Sequence, residues 1–202
     1  MQIPLSALPM SLSWDVPPAG CRSDGAGSLL VDAPARTDLF VDPAGGEPSL
    51  GAPRLLGTPP DGDFQLRARI GVRFAAAYDA GTLLVWAGER SWAKLCYERS
   101  PQGVPMVVSV VTRDVSDDAN GVEVPDGEPI RLRVSRLGPA WAFHAGVDGS
   151  RWSLVRYFRL GDPAAPVRVG FEAQSPTGEG CRVSFDDVAF VPERLTDLRG
   201  GA

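Results

Sequence analysis

The amino-acid sequence predicts an all-β protein made of two antiparallel sheets packed face to face as a sandwich. Residues 64–74 alternate apolar and polar side chains without interruption, which is the pattern of a half-buried strand. Turn-forming glycine, proline and aspartate recur roughly every eight to twelve residues, a spacing typical of sandwiches and barrels. No stretch of about ten residues or more has a convincing helical period. These three observations together favour strands throughout.

Further strands are expected along the chain after residue 74. They are predicted at residues 82–87, 92–98, 104–113, 129–137, 140–146, 152–160, 167–174 and 182–191. Asp148-Gly149 predicts a hairpin turn, and the polar stretch 114–121 is expected to be a loop that ends a valine-rich strand. Residues 175–180 combine serine, proline and glycine, which predicts a turn that could also form the rim of a groove.

The first sixty residues give a weaker pattern, because proline, glycine and aspartate separate short apolar pieces. We expect one or two edge strands and long loops there, with residues 1–15 as a loosely held N-terminal arm. The length and the apolar content suit one core. Residues 1–202 are therefore expected to form a single domain.

Charge and cysteine content narrow the class of protein. A formal net charge of −5 opposes binding to nucleic acid or to an anionic membrane, because both attract a clustered basic face. Prolines interrupt the apolar residues among the first twenty positions, so neither a secretory signal nor a membrane span is expected there. Cys21, Cys96 and Cys181 show no metal-ligand spacing, and their odd number favours reduced thiols. A cytoplasmic protein is predicted.

Several ordered motifs resemble a known family. They are Tyr-Asp-Ala-Gly-Thr-Leu-Leu-Val-Trp at 78–86, Trp-Ala-Lys-Leu-Cys-Tyr-Glu at 92–98 and Ser-Val-Val-Thr-Arg-Asp-Val-Ser-Asp at 109–117, followed by matching motifs at 148–152 and 175–180. On these residues the chain resembles the regulation-of-enolase-like family of the concanavalin A-like lectin and glucanase superfamily, over roughly residues 60 to 190. The resemblance implies a concanavalin A-like jelly roll with one concave sheet, a surface that related lectins and glucanases use to hold sugars. It implies no particular activity.

The strand at 92–98 carries the first candidate site residue. Alternation separates two faces, with Ala93, Leu95 and Tyr97 toward the core and Trp92, Lys94, Cys96 and Glu98 toward the groove. Of the twenty basic residues, all but Lys94 are arginine. This indicates that position 94 requires a compact ammonium group and would not accommodate a guanidinium. A structural salt bridge from Lys94 to a carboxylate such as Glu98 is the alternative to a ligand contact.

Polar residues on other strands are expected to complete a groove floor around Lys94. We assign catalytic roles to Lys94, Glu98 and Glu172, and ligand contacts to Trp92, Ser109, Arg113, Arg156 and Gln174. Burying charged side chains of this kind is costly unless they form ion pairs or bind a ligand. An ion-pair lattice on a solvated face is the alternative. Two carboxylates would suffice for glycoside hydrolysis, but the Glu-x-Asp-x-x-Glu signature of glucanases in this superfamily is absent.

The function predicted from these residues is binding of a small-molecule ligand, a carbohydrate or a similar polar metabolite, in the groove. A cofactor-independent lyase, isomerase or cyclase using Lys94 and Glu98 is the runner-up. A regulatory or structural partner of another protein is a third alternative, and a homodimer is left open. No cofactor or metal is expected, because the lone His144 fits no standard zinc site and no phosphate-binding glycine loop occurs. Calcium at the acidic residues 114–120 is left open.

Overall fold

The structure, a computed structural model, describes residues 2–146, 151–162 and 165–201. Its strands are β1 (Gln2–Ile3), β2 (Leu12–Val16), β3 (Gly20–Ser23), β4 (Leu29–Pro34), β5 (Leu39–Phe40), β6 (Ser49–Leu50), β7 (Arg54–Gly57), β8 (Phe64–Arg73), β9 (Ala80–Trp86), β10 (Ser91–Arg99), β11 (Pro105–Arg113), β12 (Val115–Glu123), β13 (Ile130–Leu137), β14 (Ala140–Gly146), β15 (Ser153–Arg159), β16 (Arg168–Gln174) and β17 (Gly180–Val191). No helix occurs within the described ranges, as the all-β prediction requires. Accordingly, these ranges contain no helix long and apolar enough to cross a membrane.

Antiparallel pairing joins the strands into two large sheets and one short ribbon. Sheet A has the order β1-β2-β7-β16-β9-β10-β11-β12, and sheet B has the order β15-β14-β13-β8-β17-β4-β3. Strands β5 and β6 form the ribbon. The sheets meet face to face: Phe171 of β16 and Phe185 of β17 lie between them with ring centroids 4.9 Å apart. The chain is a β-sandwich of two antiparallel sheets.

Burial follows alternation on β8 of sheet B but not in the centre of sheet A. On β8, Phe64, Leu66, Ala68 and Ile70 are buried between the sheets, and the residues that alternate with them are partly or fully exposed. On β9, by contrast, every residue is buried. A strand loses solvent on both faces only when each face is covered. Sheet B covers the inner face of sheet A, so another part of the chain must cover its outer face.

That cover is formed by residues 37–52, which we call the covering segment. Its buried side chains Leu39, Val41 and Ala52 join an outer hydrophobic cluster with Leu56, Leu84, Trp86, Trp92, Cys96 and Val108 of sheet A. The N–H of Val41 donates to Ser116 Oγ of β12 at 2.9 Å, which ties the segment to the edge of the sheet. The groove expected on this face is therefore partly filled by the chain itself.

The N-terminal residues depart from the loosely held arm predicted from the sequence. β1 and β2 extend one edge of sheet A, and β7 lies inside that sheet between β2 and β16. Ile3, Leu5, Leu8 and Leu12 are each at most 8 % exposed and belong to the core between the sheets. These strands contain only two to five residues each, too few to show a period in the sequence.

The polar stretch after β11 is a strand and not the expected loop. β12 pairs along β11, with Ser116 opposite Thr112 and Asp118 opposite Val110. Because β12 is the outermost strand of sheet A, its side chains other than Ser116 stay in solvent and can be polar, which hides the strand from a hydrophobicity pattern. The predicted Asp148-Gly149 turn lies outside the described residues.

Candidate functional site

Strand β10 divides its side chains between two environments in the way that the alternation predicted. Ala93 and Leu95 belong to the core between the sheets, whereas Trp92 and Cys96 belong to the outer hydrophobic cluster. Lys94 projects from the same outer face and is only 2 % exposed. The single lysine of the chain is thus a buried cation on the covered face of sheet A.

An amide holds the ammonium group of Lys94. Lys94 Nζ donates to Gln174 Oε1 at 2.7 Å, and Asp38 Oδ1 of the covering segment lies 3.8 Å away. The other amide atom, Gln174 Nε2, donates to the carbonyl oxygen of Tyr78 at 3.1 Å. A continuous chain of hydrogen bonds therefore connects Lys94 to the turn that precedes β9.

Nearby carboxylates keep Lys94 charged. Burial by itself lowers the pKa of a lysine, because it removes water from the ammonium group. Around Lys94 the neighbouring acidic groups, Cys96 first and then the carboxylates of Glu172, Asp38 and Glu98, outweigh that effect and hold its pKa above the ordinary value. Lys94 is accordingly a permanent positive charge.

A cavity of about 390 Å³ opens beside Lys94, and we call it the Lys94 pocket. Its polar lining consists of Asp38, Lys94, Glu98, Asp118, Gln174 and Thr177. Its apolar lining consists of Phe40, Tyr78, Val108, Val110 and Pro176. The rim predicted at residues 175–180 contributes Pro176 and Thr177 to this lining. The volume lies in the usual range of small-molecule sites.

Glu98 brings a titratable carboxyl to the lining of the pocket. It follows Lys94 by four residues on the same face of β10 and is 9 % exposed. Burial raises the pKa of Glu98 to about 7, and the positive charge of Lys94 limits the rise. A carboxyl that titrates near neutral pH can both give and take a proton under physiological conditions.

Glu172 lies behind the pocket and is not part of its lining, in contrast to the ligand-facing role predicted for it. It is 1 % exposed and stands in the sheet between Arg54 of β7 and Thr82 of β9. Within the described residues, neither carboxylate oxygen has a hydrogen-bond partner. Burial raises the pKa of Glu172 to about 7, and Lys94 opposes the shift. The position of Glu172 suits a carboxylate that compensates the positive charge of Lys94.

Tyr78 is the pocket residue that the sequence did not single out. Its φ of 67° lies in the left-handed region, which a bulky side chain rarely adopts. The Tyr78 N–H donates to the Arg99 carbonyl at 2.7 Å, while its side chain remains 39 % exposed. The available signal was an aromatic residue inside the turn motif Tyr-Asp-Ala-Gly, where small or polar residues are usual.

Two acidic residues were also missed as pocket residues. Asp38 comes from the covering segment and Asp118 from β12. The sequence placed both in irregular regions, so it offered no face on which to align them with Lys94. Only the pairing of β12 and the fold of the covering segment bring them together.

Three predicted ligand contacts lie away from the pocket. Ser109 pairs with Leu95 and is 1 % exposed on the face toward sheet B, and Arg113 is exposed at the end of β11. Trp92 is fully buried under the covering segment, so its ring is not available for stacking on a ligand. We therefore correct the predicted groove floor: of the eight predicted residues, Lys94, Glu98 and Gln174 line the pocket.

Arg156, also assigned to the groove, connects the edges of the two sheets instead. Its Nη2 donates to Asp117 Oδ2 at 2.8 Å, and its Nη1 donates to the carbonyl oxygens of Asp117 and Ser109 at 3.0 and 3.4 Å. β15 is outermost in sheet B, and β12 is outermost in sheet A. Arg156 therefore ties one edge of the sandwich together.

The described residues contain no group of three or more His, Cys, Asp or Glu side chains arranged to hold a metal ion. The lone histidine, His144, is buried in sheet B, where its Nε2 lies 2.9 Å from the carbonyl oxygen of Leu198. That contact fastens the C-terminal residues to sheet B. His144 is remote in sequence and in sheet from the Lys94 pocket.

Comparison with known proteins assigns a family. A family model described as "Protein of unknown function (DUF1349)" matches residues 14–193. The chain belongs to the DUF1349 family. A functionally unknown protein from Saccharomyces cerevisiae resembles this DUF1349 chain with a TM-score of 0.81 and 22 % identity, over 93 % of this chain and 97 % of its own. None of the curated proteins matches the chain.

Two further solved structures share the fold and are larger. The xylan β-1,4-xylosidase from Bacillus halodurans C-125 has a TM-score of 0.68 and 13 % identity, over 88 % of this chain and 36 % of its own. The GH43 protein BlXynB from Bacillus licheniformis has a TM-score of 0.65 and 11 % identity, over 82 % and 33 %. The DUF1349 chain thus spans about a third of each. At these identities the similarity concerns the fold alone.

Proposed function

We propose that this DUF1349 protein binds a carbohydrate, or a polar metabolite of similar size, in the Lys94 pocket. The observation that carries the proposal is the presence of an exposed aromatic side chain and of buried hydrogen-bonding groups around one cavity. Tyr78 is 39 % exposed, and Lys94 and Gln174 line the same cavity. A sugar ring has an apolar C–H face and a rim of hydroxyl groups, and it needs both kinds of surface at once.

Finer expectations belong to the same proposal. They are a concanavalin A-like jelly roll, membership of the regulation-of-enolase-like group and a cytoplasmic location. Because a xylan β-1,4-xylosidase shares the fold, sugars are the ligand class to test first. Cys21, Cys96 and Cys181 are free thiols, which suits a reducing compartment.

The proposal is tested by screening neutral mono- and disaccharides with ligand-observed NMR and measuring the affinity of each hit by calorimetry. Tyr78→Ala is expected to weaken binding roughly three- to tenfold, because it removes the aromatic face. Tyr157→Ala is the matched control, since Tyr157 is 55 % exposed on β15 and does not line the pocket. Absence of any sugar binding would contradict a carbohydrate ligand, and equal losses in both variants would contradict the assignment of the Lys94 pocket as the binding site.

A cofactor-independent enzyme is the second candidate, and Glu98 favours it. A carboxyl with a pKa of about 7 lines the same cavity as the cation Lys94. Such a pair can move a proton and stabilise a developing negative charge. The test is to incubate each bound sugar with the protein and follow conversion by NMR. Glu98→Gln is expected to retain binding and lose conversion. No conversion by the wild-type protein would leave binding as the function.

A further inference from the structure

We infer that the Lys94 pocket selects ligands without negative charge, so that its ligand is an unphosphorylated, non-acidic polyol. This inference rests on the proposed function and adds the charge class of the ligand. The observation behind it is the ratio of charges in the lining. The described lining residues supply three carboxyl groups, on Asp38, Glu98 and Asp118, and one cation, Lys94.

The single cation is already compensated. Lys94 Nζ donates to Gln174 Oε1 at 2.7 Å and has Asp38 Oδ1 at 3.8 Å. Glu172 adds a second carboxyl, which is buried behind the ammonium group and raises the pKa of Lys94. A phosphate or carboxylate brought to Lys94 would therefore compete with negative groups that the fold already holds there.

Arg54 of β7 and Arg156 of β15 make their contacts outside the pocket. Arg54 Nε donates to Asp15 Oδ2 at 2.7 Å, and its guanidinium lies over the Trp86 ring at 4.3 Å from the centroid. Arg156 Nη2 donates to Asp117 Oδ2 at 2.8 Å. Neither arginine lines the pocket. An anionic ligand would thus meet a net negative surface with no guanidinium to bind it, whereas neutral hydroxyl groups can donate to the carboxylates and accept from Lys94.

Asp118 is the residue best placed to test the selection, because its exposed side chain on β12 can be changed without disturbing the core. Asp118→Asn keeps the size of the side chain and removes one negative charge. Glu123→Gln, on the same exposed edge and outside the lining, also removes one negative charge and is the matched control for a change of charge on β12. All measurements are made at pH 8, above the pKa of Glu98.

The experiment has two arms. In the first, each neutral sugar that binds is compared with its phosphate and uronic acid derivatives by calorimetry. The anionic forms are expected to bind at least about tenfold more weakly, and Asp118→Asn to narrow that gap. Anionic forms that bind as tightly as the neutral sugar would overturn the inference and leave the proposed function standing.

In the second arm, inorganic phosphate is titrated against the labelled protein at constant ionic strength, and the amide signals of Tyr78 and Thr177 are followed. No saturable shift is expected in the wild-type protein or in Glu123→Gln. A saturable phosphate shift at these amides in the wild-type protein would overturn the inference even if no sugar bound. If neither sugars nor phosphate bind, the proposed carbohydrate binding fails, and the inference, which rests on it, falls with it.

Discussion

Lys94 Nζ lies 2.7 Å from Gln174 Oε1 although β9 separates their strands in sheet A. The lysine side chain crosses a whole strand to reach a neutral amide, and the carboxyl groups of Glu98 and Glu172 act on it at longer range. A buried cation fixed in this way depends on several partners at once. Removing the cation should therefore change the electrostatic environment of each partner.

Lys94→Met is expected to lower the free energy of unfolding by about 3 kcal/mol, because it leaves the buried carboxyl of Glu172 without a compensating cation. Urea denaturation at pH 8 measures the change. In the Lys94→Met background, Glu172→Gln should restore roughly 1 kcal/mol or more of the free energy of unfolding, since it removes the uncompensated negative charge. Strictly additive effects of the two substitutions would show that the residues do not interact.

The pH dependence of stability should report the buried carboxyl of Glu172. Its pKa of about 7 in the folded protein exceeds the ordinary value of 4.5, so folding favours the protonated form. The stabilisation is fully present below pH 4.5 and is lost as the pH rises through 7. Relative to Glu172→Gln, the wild-type protein is therefore expected to lose up to about 3 kcal/mol between these limits.

Urea denaturation from pH 4.5 to pH 8 gives the wild-type and Glu172→Gln curves, and their difference isolates this one group from the other carboxylates. Glu89→Gln, at an exposed turn, is the control and should leave the shape of the curve unchanged. Parallel wild-type and Glu172→Gln curves over the whole range would refute the assignment of a raised pKa.

Arg156→Gln should destabilise the sandwich without changing ligand affinity. Its contacts with Asp117 and Ser109 join β15 to the opposite sheet, and hydrogen bonds of a charged group are worth about 1.5 kcal/mol or more. Arg113→Gln, an exposed substitution, should change the unfolding free energy by less than about 0.5 kcal/mol. If Arg156→Gln lost sugar affinity but kept its stability, Arg156 would instead be a ligand-binding residue.

Tyr78→Gly should separate ligand affinity from stability. Glycine adopts the positive φ of this position without strain, so the free energy of unfolding is expected to stay constant or rise by up to about 1 kcal/mol. Sugar affinity should nevertheless fall, because the aromatic face is gone. Tyr78→Ala should lose the same affinity without any gain in stability. A Tyr78→Gly protein that binds sugar at full strength would show that the ring takes no part.

The strands from β8 onward could be predicted largely because their side chains alternate or are continuously apolar over seven residues or more. β12 could not be predicted from hydrophobicity, since an edge strand is held by backbone pairing and exposes polar side chains such as Asp118. The candidate site could be predicted only in part, because only some of its residues lie on strands with a clear alternation. Lys94, Glu98 and Gln174 follow from the face of a strand, whereas Tyr78 and Asp38 belong to a turn and to the covering segment.

By itself the sequence determined the all-β class and the face of β10 that carries Lys94, because strand periodicity is a local property of the backbone. Only the tertiary structure decided which part of that face remains open. Leu39 and Val41 bury Trp92 beneath the covering segment, and Gln174 meets Lys94 from 80 positions away. Such contacts depend on the order of strands in the sheet and on the loop that folds over it, and neither is encoded in a local period.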